Sequence, residues 1–439
     1  MQSTASLNVN AIIAQSRIGG LQMTVFALCS LCLLLDGFDV QSMGYVAPAL
    51  TQEWNIPSAA LGNVFGAAPL GVLIGSLLFS MLADRIGRRP VLIGLTFYFA
   101  ITALLTARTT SPQELLWVRF FSGIGLGGIM PNAVALSGEY SPHRARVLVM
   151  MLVGNFFNLG AALGAFLAAW LIPLYGWRSV FYFGGVIPMA ISAAMLVLLP
   201  ESLPFLALKD RNSSRLRLLL QRLAPQVNIA ESAQFEADGD PRRGFPFLKL
   251  LASGRAGGTL ALWVVNFMNL LNLYFLSNWL PTLVRDSGYS AQTAVLLGAA
   301  LQLAGTIGSL LLAWIVTRAG LAPTLAVAFG CGAVSIALIG QPGLSLTLLA
   351  IVVCIAGMGI VGGQGGVNAL AATLYPTDLR ASGVGAGLGV GRIGAIIGPT
   401  VAGQLLSLHW TSQQLFLAAA VPAVISAVTV AGMAKLTKR

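Results

Sequence analysis

The feature that most constrains this chain is a series of apolar runs, each about one bilayer long, recurring from end to end. Crossing the hydrocarbon core as a helix takes roughly 20 apolar residues. Read between polar or Pro/Gly breaks, the sequence offers twelve such runs, beginning near Thr24, Ala59, Val91, Leu115, Val147, Val180, Gly258, Thr293, Thr324, Leu346, Ala381 and Leu415. Only 9% of the 439 residues are charged and 56% are hydrophobic, whereas soluble domains carry about a quarter charged residues. The shortage is chain-wide, so the expected fold class is an all-α polytopic membrane protein with twelve transmembrane helices. The first run continues through "DGFD" without a small-residue cleavage site, so it reads as an uncleaved first span.

Topology follows from the basic residues. With both termini cytoplasmic, the inside segments hold 20 of the 25 Lys and Arg residues and the outside loops hold three, Arg108, Arg178 and Arg285. That bias places both termini inside by the positive-inside rule. The net charge of +11 then reports topology and anionic lipid, and nucleic acid is not expected as a partner. The four cysteines, Cys29, Cys32, Cys331 and Cys354, all fall in apolar runs, which argues against a disulfide or zinc framework. No metal site is expected.

One long polar stretch, 201–255, divides the chain into residues 1–200 and 256–439, with six spans on each side. Sliding the sequence by 233 residues aligns Pro48 with Pro281, and "DRIGRRP" with "TRAGLAP". At 234, "NLGAALG" meets "RIGAIIG". The expectation is a parallel duplication that forms two pseudo-symmetric six-helix bundles. In this register Asp36 and Asp39 fall opposite Asn269 and Asn272, while Arg392 falls opposite Asn158. The scaffold repeats and the charge does not.

Asp36, Asp39, Arg119 and Arg392 lie inside apolar runs. Each costs about 2.5–3.5 kcal/mol at the middle of a membrane helix, so they must face the bundle interior. One reading is a structural ion pair, such as Asp39 with Arg119. The other is a water-accessible site, favoured by the neighbouring Gly37, Gln41, Ser42, Gly44 and Tyr45. Asp36 and Asp39 share a helix face at i,i+3, and two close carboxylates in low dielectric do not both ionise readily. Arg392 stays charged and its planar fork suits a carboxylate. Arg392, with Arg119, is therefore expected to receive an anionic substrate, and Asp36 and Asp39 to carry a coupling proton. The amides Asn266, Asn269, Asn272, Gln364 and Asn368 and the aromatics Phe38, Tyr45, Trp263 and Tyr274 are candidates to line a site for a flat, polar-edged molecule. Helix packing is the competing role for each.

The loop "MLADRIGRRP" between spans two and three places Asp84 after a helix end, with Arg85, Gly87, Arg88 and Arg89 following. It is expected to act at an inner gate, or simply as a positive-inside anchor. The glycine stripes at 122–131, 357–366 and 383–399 allow close helix packing.

These residues also carry a resemblance. "MLADRIGRRP" resembles the signature loop of the major facilitator superfamily, with Ser80 in place of its usual first glycine. "RFFSGIGLGGIMP" and "PES" (200–202) are similar to further motifs of that superfamily. "DGFD", "GEYSPHRAR" and "GVGRIGAIIGP" together resemble its aromatic acid:proton symporters. The resemblance implies proton-driven uptake of a benzoate- or hydroxybenzoate-like acid across a bacterial inner membrane, with the proton as coupling ion and no other cofactor. It also implies required roles for Asp36, Asp39 and Arg392, and gate charges at Glu139, Arg144 and Arg146. A monomer is the expected assembly. The alternatives are a proton-coupled porter of another organic anion or of a sugar, or a drug/proton antiporter. An enzyme is not expected: the two histidines, His143 and His409, lie near span ends on opposite sides, and no HExxH or GxSxG is present.

Overall fold

A bilayer-spanning chain must satisfy its backbone hydrogen bonds internally, and helices do this within each segment. The computed structural model describes residues 6–209, 214–225, 234–236, 250–252, 255–375 and 379–436. Much of the 201–255 linker, and the tail residues Lys438 and Arg439, therefore lie outside the described residues. Twelve helices are long and apolar enough to cross a membrane. In the first half they are Gly20–Trp54, Ser58–Ile86, Arg88–Thr106, Pro112–Glu139, Arg146–Tyr175 and Arg178–Leu198. In the second half they are Ala256–Asp286, Ala291–Ala319, Leu321–Ile339, Leu346–Leu374, Arg380–Ser407 and Ser412–Leu436. We refer to them as spans one to twelve. Each begins within four residues of its expected start, and side-chain caps mark the starts of spans four, eight and ten. Ser111, Ser290 and Ser345 each accept a hydrogen bond from the backbone N–H three residues on.

One boundary differs from expectation. The second helix runs through Ile86 and the third starts at Arg88, so the expected loop shrinks to Gly87 alone. Asp84 thus lies in the last turn of the second span, not beyond it. Gly87 has φ 104°, and its counterpart Gly320 has φ 83°. A left-handed backbone favours glycine at both corners.

The duplication is visible in how closely the helices approach. An ideal Cβ on Gly160 of span five would lie 1.8 Å from the Leu34 carbonyl oxygen of span one. Its equivalent on Gly394 of span eleven would lie 2.2 Å from that of Phe267 in span seven. Spans two and four meet the same way, with Gly75 against the Ile124 carbonyl, and spans eight and ten repeat it with Gly308 against Met358. Small residues let backbones touch where lipid offers no hydrophobic drive for association.

The two halves are joined toward the end opposite the termini. There the Ala59 N–H donates to Ser407 Oγ at 3.0 Å, Thr400 Oγ1 to the Gly62 carbonyl at 3.4 Å, and Arg285 to the Pro48 carbonyl. Phe65 meets Trp279 edge-on at 5.2 Å. Deeper in, Gln41 donates to Ser277 Oγ at 3.2 Å.

The end carrying the termini holds an unexpected cap. Strand Ser6–Asn8 pairs in parallel with Gln234–Glu236 of the linker. The short helix Val9–Gln15 follows, with Asn8 as its N-cap. Val9 and Ile13 are buried in one cluster with Leu216, Leu220, Leu223 and Phe235. His143 N–H donates to the Ala14 carbonyl at 3.3 Å, tying this cap to the turn between spans four and five. The apolar spacing in "RLRLLLQRL" is the signal for this packing; in the overall polarity of the linker it is easily passed over.

Two glycine substitutions separate close packing from plain helix propensity. Gly160→Ala should lower the midpoint of thermal unfolding in detergent, by an amount matching about 1–3 kcal/mol of overpacking. Gly94, which has nothing within 4 Å of an added Cβ, should tolerate Ala without loss.

Candidate functional site

Asp36 and Asp39 are three residues apart on span one, and the structure gives them different partners. Asp39 is buried and paired with Arg119 of span four, which is also 1% exposed. Arg119 Nη1 donates to Asp39 Oδ1 at 2.9 Å, and Nη2 lies 2.9 Å from Oδ2. Nη2 also donates to the Asp39 carbonyl at 3.3 Å. This fork-on-carboxylate arrangement neutralises two charges that neither lipid nor interior could hold alone. Arg119 also edges a small cavity between the halves, lined by Met43, Phe65, Tyr274 and Asn278 among others.

Asp36 is buried too, yet it makes no hydrogen bond among the described residues. The charges that act on it are Asp39 and Arg392. Arg392 in span eleven is half-buried, forms no ion pair or hydrogen bond among the described residues, and lies in electrostatic reach of both Asp36 and Tyr274. One acid from the first half and one base from the second thus face a common interior region, each without a dedicated partner.

The second half supplies amides beside that region. Asn269 Nδ2 donates to Gln364 Oε1 at 2.8 Å and to the Ile360 carbonyl at 3.2 Å. Ile360 belongs to a π-helical turn, Gly357–Val361, in span ten. Such a turn displaces carbonyls from the regular ladder, and the Asn269 side chain takes one of them. Gln364 Nε2 donates to Asn266 Oδ1 at 3.3 Å and to Asn368 Oδ1 at 3.4 Å. Asn272 is fully buried, with neither polar side-chain atom partnered. Its first-half equivalent is Asp39, whose partner Arg119 corresponds to Val352 at the 233-residue offset.

Two sequence candidates turn away from this region. Phe38 fills the space over Gly164 and Gly184 and meets Phe183 at 6.2 Å. Tyr45 donates its hydroxyl to the Ala161 carbonyl at 2.8 Å. Phe38 is occupied in packing span one against its own half, and the Tyr45 ring reaches across to Gly298 of span eight.

At the end carrying the termini, the signature residues gather around Glu201, the acid of the "PES" stretch. Glu201 Oε1 accepts from the backbone N–H groups of Arg88, Arg89 and Ser202 at 2.9, 3.1 and 2.8 Å. It thereby caps the N-terminus of span three, where a carboxylate suits the helix dipole. Tyr140 donates to the Glu201 carbonyl at 2.6 Å. Arg88 Nε donates to Glu139 Oε1 at 2.7 Å and Nη1 to Asn132 Oδ1 at 3.4 Å. Arg89 donates to the Leu199 and Leu196 carbonyls. Asp84, Arg85, Arg144 and Arg146 are exposed, and none of them pairs with Glu139. No group of three or more His, Cys, Asp or Glu residues suited to a metal ion occurs among the described residues.

Comparison with known proteins adds three findings. The family model for the Major Facilitator Superfamily matches residues 29–399 and 262–439. The chain is 39% identical to a 4-hydroxybenzoate transporter of Pseudomonas aeruginosa, over 97% of its own length and 95% of the relative's. It is 38% identical to a gallate transporter of Pseudomonas putida, and 31% to a benzoate transport protein of Acinetobacter baylyi, in each case over 97% of its length and 95% and 92% of theirs. Among solved structures, a bacterial homologue of the human lysosomal transporter Spinster superposes with a TM-score of 0.75 at 16% identity, covering 95% of this chain and 98% of that one.

The Asp39–Arg119 pair makes an asymmetric prediction. Removing one partner, as in Arg119→Met, should destabilise the protein by about 3–5 kcal/mol because it strands a buried charge. The double change Asp39→Asn with Arg119→Met should recover a large part of that loss. Chemical or thermal unfolding of the purified variants reads both.

Proposed function

Since the chain belongs to the major facilitator superfamily, and within it to the aromatic-acid transporters, we propose that it carries a small aromatic carboxylate across a bacterial inner membrane together with a proton. The observation that carries this reading is the unpartnered Asp36 and Arg392, contributed by opposite halves to one interior region. With Asp36 ionised, the two charges balance. An aromatic carboxylate arriving at Arg392 then leaves the region with an excess negative charge, which low dielectric makes costly. Protonation of Asp36 restores neutrality and frees Arg392 for the bidentate grip that a guanidinium gives a carboxylate. Anion and proton therefore bind more favourably together than separately. This is the thermodynamic core of symport. Asp39, held by Arg119, takes no part in the grip.

The twenty-to-three excess of basic residues supports a cytoplasmic location for both termini. In that orientation the contacts of Gly62, Gly66 and Ser58 with span eleven close the outer side. Alternating access then consists of parting these contacts and closing the inner ends of the bundles. Glu201, Arg88 and Glu139 form a rigid corner of the first half at that inner end. The exposed Asp84, Arg144 and Arg146 are the groups left to meet the other half when it closes. A sugar porter would have no use for Arg392 at mid-membrane, and a cation exporter would be opposed by it.

Uptake of radiolabelled hydroxybenzoate into proteoliposomes tests the reading. An inward proton gradient should drive accumulation in the wild type, and collapse of the gradient should abolish it. Asp36→Asn should lose gradient-driven accumulation while retaining exchange, and Arg392→Gln should lose binding by at least tenfold. Gradient-independent uptake, or full activity in both variants, would reject proton symport through these residues.

A further inference from the structure

Resting on the transport reading above, we infer that the amides Gln364 and Asn269, backed by Asn266, form the subsite that reads a ring hydroxyl on a substrate whose carboxylate is held by Arg392. The first ground is placement. An ideal Cβ on Gly391 would lie 3.1 Å from the Asn266 carbonyl oxygen, and one on Gly387 lies 3.1 Å from Asn266 Nδ2. The turn of span eleven that carries Arg392 therefore rests on the turn of span seven that begins the amide cluster. Gln364 reaches Asn266 from span ten, so three helices converge at the turn that precedes Arg392.

The second ground is hydrogen-bond capacity. Asn269 is 1% exposed, and its Oδ1 is an acceptor with no partner. Its Nδ2 is fully used by Gln364 and Ile360. Gln364 is half-buried, and the two bonds from its Nε2, at 3.3 and 3.4 Å, are long for an amide donor. The cluster thus holds a buried, unpartnered acceptor and a weakly committed donor, and a phenolic hydroxyl can satisfy both, because it donates one bond and accepts others.

The third ground is charge. The cluster is made of neutral amides, with no acid or base among its members. A second carboxylate would find no counter-charge there, and an ammonium would find no anion. A neutral polar substituent suits it. In low dielectric, leaving such amides against a bare ring edge is penalised, so the cluster favours hydroxylated acids over benzoate itself. Selection by hydrogen bonds to a hydroxyl is also sharper than selection by shape alone.

The test measures binding of 4-hydroxybenzoate and of benzoate to the purified full chain by titration calorimetry. The wild type should prefer the hydroxylated acid. Gln364→Met, close in shape and without the amide, should shrink the ratio of the two affinities at least tenfold. Asn269→Ser is the second variant and should shrink it in the same direction, with its thermal midpoint recorded beside it. Equal weakening of both acids by either well-folded variant would make the cluster structural and overturn the inference, as would an unchanged ratio. If the wild type binds neither acid, the transport reading falls first and this inference falls with it. Arg392→Gln separates the two proposals, because it should weaken both acids alike and leave their ratio standing.

Discussion

The bilayer core around this molecule has almost no water with which to satisfy a polar group, and its other features follow from that constraint. Backbone groups are satisfied within twelve helices, and the helices approach closely because glycine carries no side chain at the crossings. Gly160 against Leu34 and Gly75 against Ile124 are contacts of backbone on backbone. Charged groups obey the same constraint. Arg119 and Asp39 neutralise one another, and Glu201 and Arg88 are each consumed by local partners. A charged group left without a partner in such surroundings stands out. Asp36 and Arg392 stand out in this way.

The duplicated scaffold shows how a site can differ while its frame stays the same. Gly160 and Gly394 make equivalent approaches, and Gly87 and Gly320 turn equivalent corners. Yet the position of Asp36 holds Asn269 in the second half, and the position of Asn158 holds Arg392. Packing residues are retained on both sides of the pseudo-symmetry, and the polar positions diverge. The outcome is an acid-bearing half and a base- and amide-bearing half.

The spans were legible in the sequence because hydrophobic length is a local property, and the interior charges were legible because each is an exception within an apolar run. What the sequence did not show is which way each side chain turns about its helix. Three residues of helix rotate a side chain by about 300°, which leaves Asp36 and Asp39 roughly 60° apart. That angle is enough to point one at Arg119 and the other toward Arg392. Phe38, between them, points to neither and packs on Gly164 and Gly184 instead. The role of Glu201 was hidden for a related reason: its partners lie about 110 residues away in the chain. The cap formed by Ser6–Asn8 and Gln234–Glu236 joins two polar segments whose pairing no local pattern announces.

The Asp39–Arg119 bond also has a consequence for how the protein is made. Its partners are separated by 80 residues, so the first span emerges from the ribosome well before its arginine. At about 5–20 residues per second, that interval is roughly 4–16 seconds. During it a helix with two aspartates must enter the bilayer, each carrying a penalty of about 2.5–3.5 kcal/mol. The arrival of the fourth span beside the first then removes the penalty on Asp39. The bond that neutralises the interior of the first half is thus completed late in synthesis, by a helix made well after the one it stabilises.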